Sequence, residues 1–315
     1  MTKLYLHAGT HKTGTTAIQA FATVHRAELL RQGLLYPSAA PLIYRIKGVH
    51  AHHWFAHALA EKSRIPSKLI NVQSFPERWL KKANKHDAEV LLSIEALYRH
   101  ILGEGSYETK RIRYLRRVAG LLKDFDITVV LVFRRPDEYM RSLYTQRVMH
   151  ARRTLPGFSD FLRKVPKGLR YHKNAALFRE VFGKVLCLSY EDLNGEGNLL
   201  SNFFTTMGVD VSSLNSVGVV RKSISPAETM VKNFANHYLQ TRRDSKTFLR
   251  WMHSTVAAGR IRECYGGAGY DLWPSHEARR DFLESRQEDL KALRHEFFPG
   301  RDRLFPPYPD ACCRQ

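Results

Sequence analysis

The 315-residue chain is poor in cysteine, in acidic residues and in long apolar runs. Its four cysteines, Cys187, Cys264, Cys312 and Cys313, have neither metal-ligand spacing nor the pattern of a secreted disulfide framework, which points to a reducing compartment. No apolar stretch reaches the length of a signal-peptide core or a membrane span, so the sequence predicts a cytoplasmic protein with no transmembrane segment. The acidic deficit is 30 Asp and Glu against 50 Lys and Arg, a formal net charge of +20, and it makes anions the natural partners. Nucleic acid is not expected among them, because the arginines are dispersed rather than interleaved with aromatics and no nucleic-acid module is recognisable. Metal is not expected either. His50, His52, His53 and His57 cluster without cysteine or carboxylate, and the pattern His-Glu-x-x-His is missing. That cluster reads first as a plain surface helix and next as a helix start lining a cleft, with His52 or His53 touching substrate.

What is present is an alternation of strands and helices. "KLYLHA" is a short apolar run that ends in a glycine-containing loop, and "TTAIQAFATVHRAELLRQG" follows with helical spacing up to Gly33. "AEVLLSIEAL", "DITVVLVFRRP" and "GKVLCLSYEDL" are further runs of buried-strand type. Between the first two of these, Ile112, Leu115, Ala119 and Leu122 form a helical apolar stripe, and Arg113, Arg116 and Arg117 fall outside it. From Ser225 the pattern turns helical and basic, opening on a capping box of Ser225 and Glu228; "YGGAGYDLWPS" is a loop and the end from about residue 305 an irregular tail. The sequence therefore predicts one α/β domain over residues 1–315, with three layers: a mainly parallel central sheet and helices on both faces, of the P-loop nucleotide-binding kind.

The loop "GTHKTGTT" carries the first chemical signal. In a Walker phosphate loop a lysine follows the second glycine and reaches the terminal phosphates of a nucleotide. Here Gly9 and Gly14 keep the spacing and Thr16 keeps the hydroxyl, but Thr15 stands in the lysine position and the cation, Lys12, lies inside the loop. Backbone N–H groups and the positive end of the following helix suit a phosphate, with Thr15 and Thr16 adding hydroxyl donors. From inside the loop the Lys12 ammonium can reach the far side of that phosphate, toward a bridging oxygen and a group being transferred.

The second signal is "VLVFRRPDEYMRSLY". The strand delivers Arg134 to the carboxyl edge of the sheet, where ligands of open α/β sheets bind, and Ser142 follows eight positions later on the next helix. Together they are candidates for gripping a further phosphate. At the end of "EVLLSIE", Glu95 is a candidate general base, and His11, beside Lys12, is its rival.

These motifs, in this order, resemble those of the sulfotransferases that use 3′-phosphoadenosine 5′-phosphosulfate (PAPS), and bacterial-type members most. "GTHKTGTT" is similar to that family's loop for the 5′-phosphosulfate, with Lys12 at the catalytic lysine and Thr10, Thr13, Gly14, Thr15 and Thr16 in the cofactor loop. "VLVFRRPDEYMRSLY" is similar to its 3′-phosphate segment, with Arg134 and Ser142 at the matching positions, and "LCLSYEDL" to a recurrent strand and turn. The resemblance spans about the first 200 residues; beyond them "VVRKSISP" keeps only Arg221 and Lys222 of a segment that other members place near the 3′-phosphate. It implies metal-free, in-line transfer of a sulfuryl group from PAPS to an acceptor hydroxyl or amine, carbohydrate among the classes, leaving adenosine 3′,5′-bisphosphate. A P-loop kinase, in which "VLLSIE" would end in a metal-organising acid, and a non-catalytic anion-binding protein are the alternatives.

Overall fold

The computed structural model describes residues 1–10, 12–38, 51–60, 71–195, 198–215, 224–239, 241–264 and 270–306, with the backbone alone for 242, 255–258 and 262. Along the chain the elements are β1 (Thr2–His7), α1 (Thr15–Val24), α2 (Arg26–Arg31), β2 (Leu34–Leu35), α3 (His53–Leu59), α4 (Ser74–Lys85), β3 (Glu89–Ser93), α5 (Tyr107–Leu121) and β4 (Phe125–Phe133). They continue with α6 (Pro136–His150), α7 (Phe158–Leu162), α8 (Tyr171–Phe182), β5 (Lys184–Ser189), α9 (Tyr190–Leu193) and α10 (Leu199–Thr205). The last are α11 (Pro226–Ala235), α12 (Arg242–Met252), α13 (Thr255–Cys264), α14 (His276–Glu284) and α15 (Gln287–Phe297). None of the described helices is long and apolar enough to cross a membrane.

The chain divides into two compact units. The first comprises Met1–Arg135, Arg170–Val220 and Asp289–Pro306; the second comprises Pro136–Leu169, Arg221–Glu288 and Pro307–Gln315. The first unit holds a five-stranded sheet in the order β2-β3-β1-β4-β5, with every adjacent pair parallel. Strands buried on both faces read as continuous apolar runs, and β4, "FDITVVLVF", is the plainest instance. Toward one face Tyr5, Leu91, Val130 and Val132 pack with Ile18 and Phe21 of α1 and Phe203 and Phe204 of α10. Toward the other, Phe133 meets Tyr171 of α8 with ring centroids 4.7 Å apart. The chain runs from β1 to β2 and β3 on one side and then to β4 and β5 on the other, so the strand order reverses about β1. The carboxyl end of β1 is thereby the topological switch point, the position at which such sheets bind ligands.

Three local readings are corrected by the structure. The helical pattern up to Gly33 is two helices with a break at His25, and after Gly33, at φ 80°, a two-residue strand pairs with β3. The strand read through Glu95 ends at Ser93, and Glu95 opens a 3₁₀ turn that runs to Tyr98. On α5 the buried face is Arg111, Tyr114, Leu115 and Val118, so the stripe sits one step from Ile112 and Ala119, which are half-buried. Arg111 is wholly enclosed and donates from Nη1 to the carbonyls of Leu97 (2.5 Å) and His100 (2.6 Å), which ties α5 to the turn that begins at Glu95. The capping box is present, with Ser225 N–H on Glu228 Oε2 (2.6 Å) and Glu228 N–H on Ser225 Oγ (3.2 Å), and Pro226 follows as the first residue of α11. The tail read as irregular lies, from residue 307 on, outside the described residues, as does the 265–269 part of the loop before Trp273.

The second unit is helical and centres on a charge network. Arg279 donates to Asp137 Oδ2 (2.6 Å), Glu138 Oε1 (2.7 Å) and Asp271 Oδ2 (3.0 Å), and Asp137 is fully buried. Burial depresses the arginine's tendency to stay charged, and the surrounding carboxylates more than restore it, so its pKa lies above the ordinary value. Removing one member of a buried ion network strands the others without a partner or water. Arg279→Ala is therefore expected to destabilise the protein by about 3 to 5 kcal/mol, measured by urea unfolding followed through the aromatic fluorescence. A loss under about 1 kcal/mol would show that Asp137 is accommodated without its guanidinium.

Candidate functional site

The loop that leaves β1 is held closely against β4. Ala8 N–H donates to Val130 O (3.0 Å), and Thr10 donates both N–H and Oγ1 to Val132 O, each at 3.0 Å. Gly9 lies between them, and a Cβ there would meet the Val132 nitrogen at 2.7 Å, so only glycine permits this approach. Thr13 Oγ1 donates to Thr10 O (2.7 Å) and lies 3.4 Å from Thr15 Oγ1. The loop therefore closes on itself through the threonines that the motif supplies.

Two residues of the loop have left-handed backbone. Gly14 caps α1 at φ 71° and ψ 6°, and Lys12 adopts φ 73°, a region that non-glycine residues enter rarely and at an energetic cost. The Lys12 conformation is supported from outside, since its carbonyl accepts from Arg134 Nη1 at 3.1 Å. Arg134 comes directly after β4, with its guanidinium 5.0 Å from the centre of the Tyr190 ring and its own carbonyl bonded by Tyr171 Oη at 2.8 Å. At the start of α1 the cap is a glycine with no side chain to offer, and the first turn carries no acidic residue. The N–H groups of Thr15 and Thr16, with the positive helix end, are thus arranged for an anion.

Beneath the loop the ends of β1 and β3 carry a polar cluster. His7 and Ser93 are register partners, His7 Nδ1 is 3.0 Å from Ser93 Oγ, and Gln19 Nε2 donates to the same oxygen at 3.0 Å. The chain then turns at Ile94, whose N–H donates to His7 O (2.8 Å), and Glu95 follows with 7% of its surface exposed. His52 is fully buried: Nδ1 accepts Ser93 N–H (3.3 Å), and Nε2 lies 3.2 Å from Pro37 O. With Nδ1 an acceptor, Nε2 carries the hydrogen and donates, so both ring nitrogens of His52 serve the fold, and none is left for the substrate contact expected of it. His53 opens α3 half-buried, and His57 Nδ1 is 2.8 Å from His100 Nε2. Among the described residues no three acidic, histidine or cysteine side chains form a metal-holding group.

The structure thus brings Thr10, Lys12, Thr13, Gly14, Thr15, Thr16 and Arg134 together, with Glu95 and His53 at the same edge of the first unit. Ser142 lies half-buried on α6, in the second unit. His11 and Arg221 lie outside the described residues, as do His50 and Lys222. Sequence reading missed His7, Gln19 and Arg111. The signal was there for the first two: a histidine at the end of the apolar run of β1, and a glutamine among the buried residues of α1. No protein-family model matches the chain, and a search of curated proteins returns no match.

Burial sets the protonation of the two enclosed imidazoles. Loss of hydration holds His7 down to about 4, opposed by the charge of Glu95, and the same loss holds His52 to about 4 against its two backbone bonds. Because both folded values lie below the ordinary histidine value of 6.5, the unfolded chain binds more protons between pH 6.5 and 4. The contribution of these rings to stability is complete above pH 6.5 and is lost as the pH falls through that window. Each ring is expected to add up to about 1.4 kcal/mol per pH unit to the slope of stability against pH. Urea midpoints measured from pH 7.5 to 4.5 for wild type and His52→Gln check this; equal slopes would mean that His52 titrates normally in the folded protein.

Proposed function

We propose that this protein is a sulfotransferase that moves the sulfuryl group of PAPS to an acceptor hydroxyl or amine. The observation that supports the reading is the loop itself: a glycine-capped helix start with no acidic residue in its first turn and its cation at position 12 inside the turn, where a nucleotide triphosphatase has it at position 15. A transferring sulfuryl group carries less negative charge than a terminal phosphoryl group, so backbone donors and one lysine can replace the metal clamp. In this reading the N–H groups and hydroxyls of Gly14, Thr15 and Thr16 hold the 5′-phosphate. The acceptor oxygen attacks sulfur in line, the bond between sulfur and the bridging oxygen breaks, and its electron pair stays on that oxygen, opposite the Lys12 ammonium. Glu95 takes the acceptor's proton. The products are the sulfated acceptor and adenosine 3′,5′-bisphosphate. A formal charge of +20 favours acceptors that are already anionic, such as acidic carbohydrates.

Two measurements test this. Lys12→Ala is expected to keep measurable affinity for adenosine 3′,5′-bisphosphate and to lose about 10²- to 10³-fold in transfer rate, because the ammonium acts on charge that develops as the bond breaks. The assay is release of the bisphosphate from PAPS in the presence of acceptor mixtures, followed by chromatography, and near-normal turnover would refute the assignment. Arg134 is expected to hold the 3′-phosphate as well as the Lys12 carbonyl. Calorimetric titration of Arg134→Ala should then show adenosine 3′,5′-bisphosphate weakened about ten- to a hundredfold and adenosine 5′-monophosphate weakened less. Equal weakening of the two would confine Arg134 to bracing the loop.

A further inference from the structure

The buried cluster at the end of β1 contains a group that the proposed transfer does not use. His7 Nε2 is fully enclosed and has no hydrogen-bond partner among the described residues. The tautomer of the ring follows from counting. If Nδ1 carried the hydrogen and donated to Ser93 Oγ, the Ser93 hydroxyl hydrogen and the Nε2 lone pair would both be left unsatisfied, since Gln19 already donates to that oxygen. If Ser93 donates to Nδ1, the Nε2–H is the single group left over. A buried orphan is unfavourable enough that the second arrangement dominates.

The surroundings of the His7 ring are set by the elements packed around it. From α1 comes the neutral Gln19; from α10 the apolar ring of Phe203, 4.9 Å from the imidazole; from β3 the neutral Ser93. The titratable groups that act on His7 are Glu95, which follows β3, and His53 at the start of α3. The Ile94 N–H on His7 O, at 2.8 Å, holds the start of the Glu95 turn against the same residue. We propose that His7, fixed by Ser93 and Gln19 as a neutral Nε2–H tautomer, is a positioning residue for Glu95: the field of its uncommitted N–H favours the ionised carboxylate. A neutral donor does this without the competing positive charge that would make Glu95 a weak base. The catalytic consequence rests on the reading of Glu95 as the base; the coupling itself does not.

The experiment is therefore made on the protein without an acceptor. Histidine labelled with ¹⁵N should report His7 as neutral and protonated at Nε2 from pH 5.5 to 8. In protein carrying ¹³C-carboxyl glutamate, the titration midpoint of Glu95 should rise by about half to one pH unit in His7→Leu and by less in His7→Gln, which keeps an N–H near the same place. Ser93→Ala, which removes the hydroxyl that selects the tautomer, should raise it too and stands in for His7→Leu if that variant does not fold. A wild-type ring protonated at Nδ1, or a Glu95 midpoint unmoved in both His7→Leu and Ser93→Ala, overturns the proposal. If PAPS is turned over, the acid limb of its rate profile should move with the Glu95 midpoint. A midpoint that moves while no turnover is found in any variant retains the coupling and removes the sulfotransferase reading instead.

Discussion

The closeness of residues 9 and 10 to β4 is the constraint on which the rest of the first unit's sheet edge depends. Thr10 spends both of its donors on Val132 O, and Gly9 has room for nothing beyond its backbone. Once the chain is pinned there it must turn back within four residues to begin α1, and it does so through left-handed backbone at Lys12 and Gly14. Glycine adopts such a conformation at little cost; lysine does not. The Arg134 bond to the Lys12 carbonyl supports the unfavourable turn, and that bond in turn requires β4 to end where it does. Strand register, loop conformation and the position of the cation are one linked arrangement.

The same edge separates two electrostatic regimes. Above β1 the helix start and its donors favour negative charge. Below, His7 and His52 are kept neutral by burial, and Glu95 is a nearly enclosed carboxylate in a chain otherwise rich in cations. An enclosed acid is costly unless neighbouring dipoles favour its charge, and the role proposed for His7 is to supply one of them. It also distinguishes the two carboxylates near the site. Burial raises the pKa of Glu191, opposed chiefly by Arg135 N–H, which donates to its Oε1 at 2.9 Å, so that side chain is occupied in holding the backbone after Arg134.

Much of this was legible in the sequence because it lies in local patterns. The apolar run ending at His7, the glycine spacing and the β4 run ending at Arg134 place the loop and its arginine without any knowledge of tertiary contacts. The failures have tertiary causes. Glu95 reads as a strand residue because its neighbours are apolar, but pairing with β1 stops at Ser93. Arg111 is passed over: the carbonyls of Leu97 and His100 draw it inside, and no pattern in α5 announces carbonyls fourteen and eleven residues away. His52 reads as a cleft residue until the Ser93 N–H and the Pro37 carbonyl are seen to use both of its nitrogens.

The central claim is that this edge is an anion cradle for an adenosine nucleotide whose charge is handled by lysine and backbone in place of a metal. Its most direct test is calorimetric titration of the unmodified protein with adenosine 3′,5′-bisphosphate and, separately, with ATP, each in excess EDTA and in magnesium. The account predicts saturable binding of the bisphosphate in both buffers, tighter than that of ATP. Binding of ATP alone, or binding of either nucleotide only when magnesium is present, would contradict it.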